Sequence, residues 1–223
     1  MIAAAADFSL LGLRLAVYMV ISLVIGMSLR EWARSFAAVR AGDPTPKLWG
    51  RLSLDPRSWF EPFGSGVVPG LIAILWLVRL LVIPAAYAKP APLDPSRFRR
   101  VPRDVIVVSC AGPLATLMLG IASGLLVRVL PLGLELGRAL IVFAYTNMAL
   151  TVFHLLPIPG LDGARMVALA LPYPARETYR AGEKYLPLFV LVVLFVFSTL
   201  ALGFLTSITS ALCNAAAGGG CPG

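Results

Sequence analysis

The chain has 223 residues, of which 59% are hydrophobic and 13% charged, and its mean hydropathy is +0.87. That balance excludes an ordinary soluble domain and predicts an integral membrane protein. The net charge of +8 could suggest nucleic acid, but the basic residues collect in loops between apolar runs, a membrane-orientation signal that argues for no nucleic-acid partner.

A span needs about 20 mainly apolar residues. The first is Leu10 to Leu29. The preceding "MIAAAADFSLLGLRL" could pass for a signal peptide, yet it lacks a charged n-region and Asp7 interrupts it, so it reads as the start of the span. The span runs into "GMSLREWARSF", in which Arg30-Glu31-Trp32-Ala33-Arg34 has the frame of the zinc-binding His-Glu-x-x-His helix with arginine at both ligand positions. Next comes "GDPTPKLWGRLSLDP", with turn residues at both ends and a short alternating core. It predicts a small β-hairpin over 42–58 whose open edge, Lys47, Leu48, Trp49, Gly50, Arg51 and Leu52, suits strand addition to an extended peptide; a plain surface loop is the alternative.

Val67 to Tyr87 is apolar but contains Pro69, Arg79 and Pro84, and basic residues lie beyond both ends. It predicts a re-entrant segment over 66–88 packed within protein, where irregular backbone is tolerated. Further spans are predicted at Val105 to Leu130, at Leu140 to Leu156 with its continuation, and at Leu186 to Ile208. Six Lys or Arg fall between Arg30 and Arg57, five between Lys89 and Arg103 and three between Arg176 and Lys184. The positive-inside rule puts all three segments in the cytoplasm and both termini outside. The expected architecture is an all-α membrane domain over 1–212 followed by a flexible tail, 213–223. An outside tail permits a Cys213–Cys221 disulfide; two free thiols are the alternative.

Two more stretches carry polar chemistry in apolar surroundings. "CAGPLATLMLG" offers Ala111, Gly112, Ala115 and Gly120 for close helix approach. In "FHLLPIPGLDG", Pro157 and Pro159 bar regular helix, Gly160 and Gly163 let the chain turn, and Asp162 sits at the break. Together, "REWARSFAAVRAGDPTPKLWGRLSLDP", "YAKPAPLDPSRFRR", "RDVIVVSCAGPLATLMLG" and "NMALTVFHLLPIPGLDGARMV" resemble, in order and rough spacing, the site-2 protease family of intramembrane zinc metalloproteases, peptidase family M50.

The resemblance implies the site-2 protease fold in a bacterial inner membrane. It matches Glu31 to the general base, Asp162 to the third zinc ligand and His154 to an asparagine that holds substrate. It also matches Arg30 and Arg34 to the two histidine ligands. A guanidinium has five donors and no acceptor, so it cannot bind a cation. The expectation is therefore a member with no catalytic residues in working order, no zinc and no other cofactor, in which the arginines replace the metal's charge and pair with Glu31 and Asp162. Snorkelling of both arginines to the interface is the alternative. A new metal site at His154, Asp162 and Glu31 is a further one, opposed by two adjacent cations. Such a protein would bind another membrane protein, or its transmembrane segment, in the former substrate groove. An altered hydrolase and a structural subunit of a larger complex are the rival readings.

Overall fold

The computed structural model describes residues 2–77, 83–192 and 201–222. Nine α-helices follow one another among these: α1 (Ile2–Ala41), α2 (Thr45–Leu48), α3 (Val68–Leu77), α4 (Val101–Val129), α5 (Leu134–His154), α6 (Asp162–Ala170), α7 (Tyr173–Ala181), α8 (Leu186–Leu191) and α9 (Ala201–Ala217). Among the described residues, three helical stretches are long and apolar enough to cross a membrane: Leu10–Ala41, Val101–Val129 and Leu134–His154. The expected Leu186 to Ile208 span includes residues 193–200, which lie outside the described residues.

Lipid and protein divide α1 between them. Met19, Leu23 and Met27, four apart and so on one face, are buried against the core, whereas Val17, Val20, Ile21, Val24 and Ile25 stay exposed. Small residues set the approach of its neighbours. A Cβ on Gly26 would lie 2.4 Å from Asn147 Oδ1 of α5, and one on Gly112 of α4 would lie 3.0 Å from Arg30 Cγ. Gly120 faces Met148 of α5, and Gly124 faces Ala216 of α9. The small-residue stripe on α4 thus serves three helices, as packing without a hydrophobic drive in lipid requires. Helix α5 is the central one, buried through Tyr145, Met148, Ala149, Leu150 and Phe153.

No β-strand occurs among the described residues, so the hairpin expected over 42–58 is corrected. Pro44 and Pro46 lack ladder donors but suit a helix start, and the Asp43 carboxylate accepts from Thr45 N at 2.9 Å to open the short α2. The other Asp43 oxygen accepts from Asp94 N at 2.7 Å, tying this loop to the next basic one. Further on, Asp55 caps the 3-10 turn Pro56–Ser58.

The segment expected to re-enter has ends that meet. A π-helical turn over Pro62–Val67 leads into α3, and Leu77 lies beside Gly12 near the far end of α1. The chain then comes back: Tyr87 N donates to Gly64 O at 3.1 Å, Lys89 N to Trp59 O at 3.0 Å, and Ser65 Oγ to Tyr87 O at 2.7 Å. Gly64 is required there, because a Cβ would sit 2.4 Å from the Tyr87 ring. With both ends of the segment together, cysteines at Ser96 and Glu177, in a Cys110→Ala background, are expected to react with an impermeant maleimide from one and the same side, the cytoplasmic one by the positive-inside expectation. Labelling of Ser96→Cys from outside would mean that the 66–88 segment crosses the bilayer.

At the other end of the bundle, Glu135 accepts from Tyr18 at 3.3 Å and pairs with Arg14 at 3.4 Å and Arg138 at 3.1 Å. The contacts from Tyr18 and Arg14 join α1 to α5 and the Arg138 pair lies within α5; the exposed ion pairs are worth at most about 1 kcal/mol each. The C-terminal segment closes on itself. Gly218, Gly219 and Gly220 all take left-handed φ values of +79°, +127° and +81°, which reverses the chain after α9 and brings Cys221 into a disulfide with Cys213.

Candidate functional site

Arg30, Glu31 and Arg34 lie on the inner face of α1, and Asp162 opens α6. Reaching that position requires the break in the chain between α5 and α6. Helix α5 stops at His154 before Pro157 and Pro159, Gly160 turns at φ +98°, and Leu161 enters α6 extended. Gly163 serves close approach: its Cβ would lie 2.1 Å from the Leu155 carbonyl oxygen.

The four charged side chains close into a ring. Arg30 pairs with both Glu31 and Asp162. Arg34 donates from Nη2 to Glu31 Oε2 at 2.5 Å and from Nη1 to Asp162 Oδ1 at 3.2 Å. Each arginine therefore spans both carboxylates, and each carboxylate takes both arginines. Arg30 is 2% exposed, Arg34 3%, Glu31 3% and Asp162 0%, so both guanidinium groups point inward and the snorkelling alternative is set aside. A lone charge at membrane depth costs about 2.5–3.5 kcal/mol on the lenient insertion scale. Closing the ring offsets this for all four at once. The Nε atoms of Arg30 and Arg34 are buried and have no hydrogen-bond partner among the described residues.

His154 is 1% exposed, its Nδ1 lies 2.9 Å from the Leu150 carbonyl one turn back, and its ring stands edge-on to Phe153. Donation to that carbonyl fixes the proton on Nδ1 and leaves Nε2 an acceptor. Arg30, Glu31 and Arg34 of the ring, with His154, Tyr87 and Arg165, border a cavity of about 10 Å³, room for about one water. Among the described residues, no group of three or more His, Cys, Asp or Glu is placed to hold a metal ion. Two hydroxyls, Thr116 and Thr151, meet at 2.8 Å over the Pro113 carbonyl that both address. They join α4 to α5 one turn from His154.

Two cations near the ring escape a reading of the sequence as a metal motif. Arg165 follows Asp162 by three positions and shares its helix face, which is the signal that could have found it. Arg51, expected on an open strand edge, is instead 8% exposed and donates to the Pro90 carbonyl at 3.4 Å. Burial lowers its pKa, and the nearby Glu31 charge opposes that shift. Four arginines thus gather around two carboxylates. Of the other expected edge residues, Lys47, Leu48, Trp49 and Gly50 are exposed and Leu52 is half-buried.

Compared with known proteins, the chain is 32% identical over 193 residues to a Bacillus subtilis (strain 168) protein named "Putative zinc metalloprotease YwhC", with 82% of each chain covered. It is 33% identical over 181 residues to "Putative zinc metalloprotease Rip2" of Mycobacterium tuberculosis (strain ATCC 25618 / H37Rv), covering 79% of this chain and 66% of that one. To the protein of the same name from Mycolicibacterium smegmatis it is 28% identical over 160 residues, 71% of this chain and 58% of that one. No family model matches, and no solved structure matches.

Proposed function

The chain belongs to the family of membrane zinc metalloprotease homologues that includes YwhC and Rip2, and from that membership we propose that it is a pseudoprotease, a site-2 protease relative that has exchanged metal for arginine and binds other membrane proteins without cutting them. The carrying observation is the closed ring of Arg30, Glu31, Arg34 and Asp162. Guanidinium groups stand where the family motif places imidazoles, and they consume the lone pairs of the carboxylates that would otherwise serve metal and water. Zinc does not fit these donors: His154 offers one nitrogen, and the two arginines beside it repel a dication. No hydrolytic step is assigned to the site.

In this reading the bound segment lies in an open apolar groove of about 380 Å³ lined by Val24, Ile25, Ser28 and Leu29 of α1 with Leu54 and Pro56. Leu48 and Trp49, a few residues before Leu54 in the chain, are also exposed. The partner is an integral membrane protein presenting a transmembrane segment or an extended peptide. The setting proposed is the inner membrane of a bacterium, crossed several times with both termini outside.

Photocrosslinkers at Leu54 and Trp49, in cells, test the groove against a control at Met118, an exposed residue on α4. Capture of an intact membrane protein from Leu54 or Trp49 is the expected result. Capture from Met118 alone would replace groove binding by a structural-subunit role, and recovery of a cleaved partner would remove the pseudoprotease reading.

A further inference from the structure

A second pocket lies on the basic side of the molecule and shares Arg165 with the cavity beside the charge ring. It has a volume of about 230 Å³ and is walled by Phe98, Val105 and Val108 and by Ser109, Arg165, Arg180 and Glu183. That is smaller than the roughly 300 Å³ at which pockets for drug-sized ligands begin, so it suits a headgroup-sized fragment. Ser109 is 1% exposed, and its hydroxyl has no partner among the described residues. A buried hydroxyl left without a hydrogen bond loses its hydration with no return. Among the described residues Arg165 makes no ion pair within 4 Å, and it senses Asp162 and Glu183 only at longer range. Arg180 has only a loose 3.9 Å contact, with Glu177 at the surface.

We propose that this pocket binds a phosphate-class monoanion, with Arg165 and Arg180 on its oxygens and Ser109 donating from the floor. The sign and size of the charge follow from the lining: two guanidinium groups and one carboxylate, Glu183, leave +1, which matches a phosphodiester rather than a multiply charged phosphate. The depth fits a lipid headgroup. Val105, Val108 and Ser109 belong to the first turns of α4, directly after Arg97, Arg99, Arg100 and Arg103. Juxtamembrane basic residues of this kind face anionic headgroups at the cytoplasmic surface. Apolar walls beneath the anion receive the first carbons of an acyl or glycerol portion. A soluble phosphate ester presents the same anion, and the test separates the two sources.

The full chain, purified in detergent, is mixed with phosphatidylglycerol or phosphatidylcholine and, separately, titrated with inorganic phosphate. Lipid retention is read by native mass spectrometry and stabilisation by the melting temperature. Phosphatidylglycerol is expected to be retained in preference to phosphatidylcholine. Retention should fall about tenfold in Arg180→Gln and severalfold in Ser109→Ala, and rise in Glu183→Gln, because a charge-assisted contact is worth about one decade or more. Ser109→Ala breaks no hydrogen bond among the described residues, so folding is not at stake. Stabilisation by inorganic phosphate with the same pattern across variants, without preference between lipids, would assign the site to a soluble ester. Arg14→Gln, an exposed change at the other end of α1 and outside the pocket, is expected to do nothing. Equal losses in Arg14→Gln and Arg180→Gln, no response to Ser109→Ala and Glu183→Gln, or no binding of either probe would each overturn the proposal. None of these readouts depends on whether the charge ring is catalytically inert.

Discussion

Asp162→Ala is expected to destabilise the protein by about 3–5 kcal/mol, the cost of stranding a buried charge. Asp162 is fully buried and holds one oxygen toward each arginine, so its loss leaves both guanidinium groups facing the single carboxylate of Glu31. Arg34→Ala should cost a comparable amount for the mirror reason. The double substitution should cost less than the sum, because the second change removes a group that the first had stranded. Substituting all four members by apolar residues of similar volume is expected to be neutral or stabilising, since well-packed hydrophobic side chains need no compensation. Reversible unfolding in mixed micelles measures all of these. A loss below about 1 kcal/mol for Asp162→Ala would place the ring among solvent-screened pairs.

The next largest effect belongs to a residue with no charge. A methyl group at Gly163 would meet Leu155 O at 2.1 Å and Leu156 O at 2.6 Å. Both are backbone atoms, which cannot swing aside as a side chain can. Either the end of α5 or the start of α6 must move, and Asp162 is the adjacent residue. Overpacking of this kind costs about 1–3 kcal/mol, and here the displaced carboxylate adds part of the ring's own stability. At Gly70 in α3 and Gly203 in α9, a methyl group would meet nothing within 4 Å among the described residues. Alanine there should instead stabilise by up to about 1 kcal/mol through helix propensity. If Gly163→Ala behaved like Gly203→Ala, the break between α5 and α6 would be loose, and it would not position Asp162.

What could be read in the sequence follows from how unforgiving apolar surroundings are. Glu31 and Asp162 are far apart in the chain, but carboxylates embedded in hydrophobic runs demand cations, and the nearest were Arg30 and Arg34. The double proline before Asp162 announced a break in the helix for the same reason that it produced one. Where several backbone outcomes cost about the same, the sequence was ambiguous. The stretch from Gly42 to Pro56 alternates like a strand, yet Pro44 and Pro46 start a short helix as readily as they interrupt a ladder. Arg51 looked like an edge residue because nothing local shows that its side chain turns inward toward Pro90. The junction between 59–65 and 87–89 rests on backbone hydrogen bonds, which leave no trace in residue types except the glycine at position 64.

The central claim is that two guanidinium groups occupy the place of a metal ion, and metal content tests it most directly. Purified wild-type protein, prepared without chelator, is expected to hold well under one zinc per chain by elemental analysis, and added chelator should leave its melting temperature unchanged. Arg30→His/Arg34→His, which restores imidazoles beside Glu31 and Asp162, serves as the reference for what this pocket can hold. Near-stoichiometric zinc in the wild-type protein, lost with a drop in melting temperature on chelation, would contradict the account.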